Sequence, residues 1–361
     1  MPIDFDASRW TKLKDNYRQY WAGTLDRPLI SAAIRDKAPD RPQPAAPILS
    51  QANCHDLSIP AEDLIDRIDY EISQYTFLGD SYPFCSMMHF GPGVISAFMG
   101  GILDNSTGSV WFHPAEDKPI QELHFQFDPD NVWFRRVRDI YAAGMRRWQG
   151  QVLMGMTDLG GNMDILSAFR PGEKLLLDLY DNSEEVHRLV WEAHKAWHQY
   201  YNALNEVLQP INPGYSDWSG IYYENPGYIL QCDFSYMIGP EMYDEFALPE
   251  IAKTCKILDT TFFHLDGKGA LPHLDSLLKI PELNGVQWVP GTGAPDCIHW
   301  PEVYQKIAAA GKRIQLTPGS GGGFEALDIV SDQIGTAKGI LTYAGGPQDE
   351  VRRQLAKYGI E

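Results

Sequence analysis

From residue 151 onward, short apolar runs rich in β-branched side chains alternate with stretches whose apolar positions recur at helical spacing. That alternation predicts a parallel sheet with crossover helices. Strands are expected over 151–156, 211–216, 228–233, 260–266, 285–289, 313–316 and 339–343, and an earlier one over 28–34. The intervening helices are expected over 183–208, 240–258, 272–279, 301–310, 324–334 and 348–358. In the first of these, Val186, Leu189, Val190, Ala193, Ala196 and Trp197 trace one face. Eight strands with helices between them predict an α/β fold of the closed (β/α)8 barrel type. An open doubly wound sheet is the alternative, but the glycine fingerprint it carries after its first strand is missing.

Between the strand at 28–34 and the one at 151–156 lies a long stretch, 35–150, dense in proline and glycine at 38–48 and again at Phe90-Gly91-Pro92-Gly93. Helical patterns are readable over 60–78 and 130–148. The whole chain, 1–361, is therefore expected to be one barrel domain whose 35–150 insertion covers the C-terminal mouth, with the Phe90–Gly93 turn near the pocket. Gly91 and Gly93 permit positive φ and close backbone approach there.

Composition narrows the class. The chain is 44% hydrophobic and 12% aromatic, enough apolar surface to offset chain entropy and exclude general disorder. A net charge of −18 opposes nucleic-acid binding, which needs a basic footprint. No run reaches the length of a membrane span, and the start Met1-Pro2-Ile3-Asp4-Phe5-Asp6 lacks a basic, then apolar leader pattern. Five scattered cysteines without a CxxC read as thiols of a reducing cytoplasm.

In a barrel the C-terminal strand ends converge on the active site. The polar and aromatic residues falling there are Asp158, Asp217, Trp218, Tyr223, Gln231, Asp233, His264, Asp266, Gln287 and Trp288. Strand alternation puts His264 and Asp266 on one face, so imidazole and carboxylate can share a metal ion or act as an acid/base pair. Each has a plainer reading as well: a satisfied barrel-end histidine and a helix-capping aspartate. Continued alternation through 233 would turn Gln231 and Asp233 to the same side and Cys232 outward. Cys297-Ile298-His299 offers weak ligand spacing. The glycine-rich stretch 319–323 has the position of a barrel phosphate loop but no Walker lysine. Trp218, Tyr223 and Trp288 suit a flat or sugar-like ligand, or the core equally well.

The stretch 231–243, Gln-Cys-Asp-Phe-Ser-Tyr-Met-Ile-Gly-Pro-Glu-Met-Tyr, with Pro249 beyond it and His264-Leu265-Asp266-Gly267 after it, resembles the uroporphyrinogen decarboxylase superfamily. The resemblance covers about 217 to the C-terminus and implies a (β/α)8 barrel. One branch of that superfamily decarboxylates uroporphyrinogen without a cofactor; its Arg-Gln-Ala-Gly-Arg motif is replaced here by Leu25-Asp26-Arg27-Pro28-Leu29-Ile30. The other comprises cobalamin-dependent methyltransferases that use zinc held by His-x-Cys and a later Cys. His264 matches that histidine, Asp266 stands where the first cysteine would be, and Tyr343-Ala344-Gly345-Gly346 has no cysteine. By this resemblance the chain looks like a divergent subgroup of the superfamily, with the signature motifs of both branches altered.

Three readings follow. In the first, His264 and Asp266 hold a zinc ion that activates an acceptor, Asp233 acts as base or positions substrate, and a corrinoid protein or methylated small molecule is the donor. In the second, Asp233, His264 and Asp266 run metal-free decarboxylase or lyase chemistry. The third is a sugar-acting or non-catalytic binding barrel. Asp158, Asp217, Trp218, Tyr223, Gln231, Gln287 and Trp288 are the expected substrate contacts in all three. The expected partners are a small-molecule substrate, a corrinoid protein and a second copy of the chain in a homodimer.

Overall fold

A computed structural model describes residues 3–209 and 211–360, so Met1 and Pro2 of the N-terminal run lie outside it. Its strands in chain order are β1 (Leu29–Arg35), β2 (Tyr75–Gly79), β3 (Phe84–Cys85), β4 (Ile102–Asp104), β5 (Trp111–His113), β6 (Leu153–Met154) and β7 (Tyr215–Ser216). They continue with β8 (Tyr222–Tyr223), β9 (Gly227–Gln231), β10 (Thr260–Asp266), β11 (Gly285–Val289), β12 (Arg313–Leu316) and β13 (Ile340–Tyr343).

One sheet of seven strands dominates, in the order β2-β1-β13-β12-β11-β10-β9. Every neighbouring pair in it is parallel except β1 with β2. Each parallel connection from β9 to β13 passes through a helix, among them Leu248–Ile257, Pro301–Ala309 and Phe324–Ile334. Strands such as β9 and β11 are buried along nearly their whole length, as a sheet covered on both faces requires. The buried apolar side chains form one connected cluster from Ile3 to Ile360.

The expected strands at 151–156 and 211–216 shrink to two residues each, and neither joins this ladder. β6 pairs in parallel with β3, and β7 pairs antiparallel with β8. The cause is local. Asn212 places its side-chain amide where a neighbouring strand would be, accepting from Met154 N at 3.1 Å and donating to Met154 O at 2.9 Å. Pro213 and Gly214 then interrupt any strand before Tyr215. Single hydrogen bonds still link these pieces: Leu153 N to Pro83 O, Gly155 N to Cys85 O and Met156 N to Ser216 O.

The helix expected over 60–78 stops at Ile72, and Tyr75–Gly79 instead forms β2. Its run Tyr-Thr-Phe-Leu favours a strand, and Ser73 and Gln74 turn back onto Tyr70 O. The stretch 35–150 thus contributes β2 and β3. Within it, the Phe90–Gly93 turn packs on the loop after β6: Gly93 N donates to the Asp158 carboxylate at 3.4 Å, and Val94 N donates to Asp158 O at 3.0 Å. Among the described residues no helix is long and apolar enough to cross a membrane.

Candidate active site

The parallel register lines up one row of polar side chains. Gln231 on β9 is opposite His264 on β10, which is opposite Gln287 on β11, which is opposite Gln315 on β12. Paired residues of adjacent parallel strands share a face, so all four side chains project to the same side. Two residues beyond His264 on that face is Asp266. β9 ends at Gln231, and Asp233 is therefore not a strand residue as the alternation implied. It opens the short 3-10 turn Asp233–Met237 and reaches the site from there.

Asp233, His264 and Asp266 nevertheless come together. Each offers one ligand atom, and these atoms lie within 4.8 Å of one another. His264 and Asp266 are half-buried, while Asp233 stays open to solvent. Lost hydration and then the Asp266 carboxylate push the Asp233 carboxyl up to about 6. Lost hydration holds the His264 ring below its usual value, against opposing pulls from the Gln287 bond and from Asp266. The Trp218 ring stands edge-on to His264, centroids 5.2 Å apart at 85°, and its buried indole N–H has no partner among the described residues.

Two further acids adjoin this group. Asp158, buried, is pushed up to about 8 by burial and then by Asp233, although the Gly160 and Gly93 N–H groups pull it back. Asp164, third residue of the helix Asn162–Phe169, is raised to about 7 by lost hydration and Asp233. It accepts the Phe234 N–H at 2.7 Å and so anchors the turn that carries Asp233. In the sequence it resembled an ordinary acidic residue of a helix's first turn. What marks it is its contact with a turn seventy residues away, which spacing does not reveal.

Gln231 and Gln287 lie on the site's face. Gln231 is buried, and its Oε1 has no partner among the described residues. Gln287 joins His264 to Gln315. Asp217, Tyr223 and Trp288 are used elsewhere. The Asp217 carboxylate accepts from Ser219 N at 2.9 Å, Tyr223 Oη at 2.9 Å and Ile229 N at 2.7 Å, as well as from Ser219 Oγ. Those bonds fasten the β7–β8 hairpin to β9. Tyr223 stacks on Trp21, with centroids 5.7 Å apart. Trp288, next to Gln287, takes the opposite face and packs on Trp300. Cys232 and Cys297 are buried thiols raised above their usual value by burial, and His299 pairs with Asp296 at the surface. The 319–321 loop shares a cavity of about 390 Å³ with Asp266 and Asp296, an acidic setting that disfavours phosphate.

A second cavity, about 410 Å³, opens beside β1 and β13 and is walled by Ile48, Ile68, Phe77, Tyr82 and Phe84. Ser219, Gly220 and Tyr343 complete its inner side. The Arg67 guanidinium on its wall is paired with Glu71 at 2.8 Å. An apolar wall with a few convergent polar groups is the usual form of a small-molecule site.

No protein-family model and no curated protein sequence matches the chain. Among solved structures, it is similar to a methyltransferase from Methanosarcina mazei, with a TM-score of 0.59 and 12% identity over 96% of this chain and 98% of that one. At that identity the likeness is one of fold.

Proposed function

We propose that this chain is a methyltransferase-like enzyme in which Asp233, His264 and Asp266 hold a divalent cation. The convergence of their three ligand atoms within 4.8 Å carries the reading. Two carboxylates and one imidazole suit zinc and leave a position open for substrate. A bound cation would lower the pKa of a thiol or hydroxyl acceptor and so make it a nucleophile. Asp233, the most open of the three, would orient the acceptor. Before a cation binds, burial and the Asp233 charge raise Asp158 and Asp164 and so favour their protonated forms. The cavity of about 390 Å³ that Asp266 lines would take the acceptor, whereas the one of about 410 Å³ has none of the three ligands on its wall. A corrinoid protein or a methylated small molecule would be the donor. The shared fold with a methyltransferase supports this assignment at a coarse level.

The same reading takes the whole chain as one (β/α)8 barrel. β3, β6 and β7, joined to one another by the single hydrogen bonds noted above, would fill the gap between the edge strands β2 and β9, with much of 35–150 over the mouth.

The raised acids favour a second reading. Carboxyls that stay protonated near pH 7 are the proton donors a metal-free decarboxylase or lyase needs. Methyl transfer from methylcobalamin to a panel of small thiols, with and without zinc, tests the first reading. Zinc-dependent turnover that is lost in Asp266→Ala supports it. No transfer, together with carbon dioxide release from carboxylated substrates in chelator, favours the second.

A further inference from the structure

His264, Gln287, Gln315 and Tyr343 form one hydrogen-bonded chain across four adjacent strands. His264 Nδ1 meets Gln287 Oε1, Gln287 Nε2 lies 2.6 Å from Gln315 Oε1, and Gln315 Nε2 lies 2.8 Å from Tyr343 Oη. The chain ends on Ser219 O, 2.8 Å from Tyr343 Oη and 3.2 Å from Gln315 Nε2. Gln287 and Gln315 are buried, so water is not at hand to replace a missing partner.

That terminus fixes the direction of every bond. A backbone carbonyl only accepts, so the Gln315 end facing Ser219 O must be its NH2 group. Gln315 Oε1 then faces Gln287 and requires the NH2 group there. Gln287 Oε1 is left facing the imidazole, and it can only accept. His264 must carry its proton on Nδ1, which leaves Nε2 as the ring nitrogen with a free lone pair. Reversing any one amide would set two acceptors against each other in a buried site, at the cost of a lost hydrogen bond and a repulsion.

We infer that Gln287, Gln315 and Tyr343 are positioning residues that lock His264 in its Nδ1–H tautomer and hold Nε2 ready as a metal ligand. The tautomer assignment stands on the bond directions alone; its consequence for the cation rests on the function proposed above. Carboxamide or carboxylate partners on the distal nitrogen of a ligating histidine fix the ring and commonly matter about 10–100-fold in affinity. The chain's far end, Tyr343 with Ser219, lies on the wall of the 410 Å³ cavity, so the hydrogen bonds run from that cavity to His264.

The test is made on the full-length, metal-stripped protein labelled with ¹⁵N-histidine, at pH 7.5. Long-range ¹⁵N–¹H correlation reads which ring nitrogen is protonated, and the His264 signals are those absent from His264→Ala. The wild type is expected to show the Nδ1–H form. Gln315→Leu, which frees the Gln287 amide to turn over, is expected to give a mixed or Nε2–H form and to weaken zinc binding about 10–100-fold. Gln287→Leu, which removes the acceptor facing Nδ1, is expected to release the tautomer lock and to weaken zinc binding as Gln315→Leu does. It also serves if Gln315→Leu does not fold. A wild-type His264 in the Nε2–H form overturns the inference, as does an unaltered tautomer in a folded Gln315→Leu. If the tautomer is Nδ1–H and zinc does not bind, the metal reading fails and the tautomer lock stands.

Discussion

Asp158 Oδ1 accepts the backbone N–H groups of both Gly93, at 3.4 Å, and Gly160, at 3.0 Å, and so pins the Phe90–Gly93 turn to the loop after β6. Burial, reinforced by Asp233, raises this carboxyl to about 8 from an ordinary value of 3.8. Below about pH 4 folded and unfolded chains both hold the proton, and the shift has no effect on stability. Between about 4 and 8 the folded chain keeps a proton that the unfolded chain has released, so this group's contribution declines as pH rises. Asp158→Asn retains the accepting oxygen and removes the ionisation. In chelator, its melting temperature should match the wild type near pH 4 and exceed it increasingly up to pH 8, by about 1–3 kcal/mol of stability at the top. A difference that stays constant across that range contradicts this.

The same contact depends on two glycines. Gly160 has φ +79°, and a Cβ there would sit 2.5 Å from the Cα of Gly93. Gly160→Ala must both adopt a left-handed backbone and push the two segments apart. Chemical denaturation should show a loss of about 2–4 kcal/mol, whereas an exposed Gly172→Ala, with nothing near its Cβ, should lose only the smaller backbone term. Equal losses at both positions would show that the contact carries no strain.

Asp217 is predicted to matter for stability and not for chemistry. Asp217→Ala strands Tyr223 Oη and the Ile229 N–H in a buried setting and should cost about 2–4 kcal/mol. Zinc affinity, measured by titration below the lowered melting temperature, should stay within a few-fold of the wild type. A selective loss of zinc binding in a protein of normal stability would place Asp217 in the site after all.

The strands from β9 to β13 were legible because each is a short buried apolar run followed by a helix-period stretch, and parallel strands covered on both faces have that signature. β6 and β7 were overextended because Asn212, a polar side chain, does the pairing that a longer strand would otherwise do. β2 was hidden because Tyr75 to Leu78 continues the helical spacing of the residues before it. His264 and Asp266 stood out through alternation within one strand, and Asp233 arrived beside them by a turn and not by alternation. Gln315 and Tyr343 could not be found that way. Their relation to His264 depends on the register of β10 through β13, and register is a property of pairing that no single segment carries.

The central claim is that Asp233, His264 and Asp266 form one cation site. It is tested most directly by isothermal titration of zinc into metal-stripped protein, alongside His264→Ala and Asp266→Ala variants of unchanged melting temperature. About one equivalent per chain is predicted for the wild type, with affinity falling at least ~100-fold in either variant, since each removes one of three ligands. No saturable binding by the wild type, or binding that both variants retain, would contradict it.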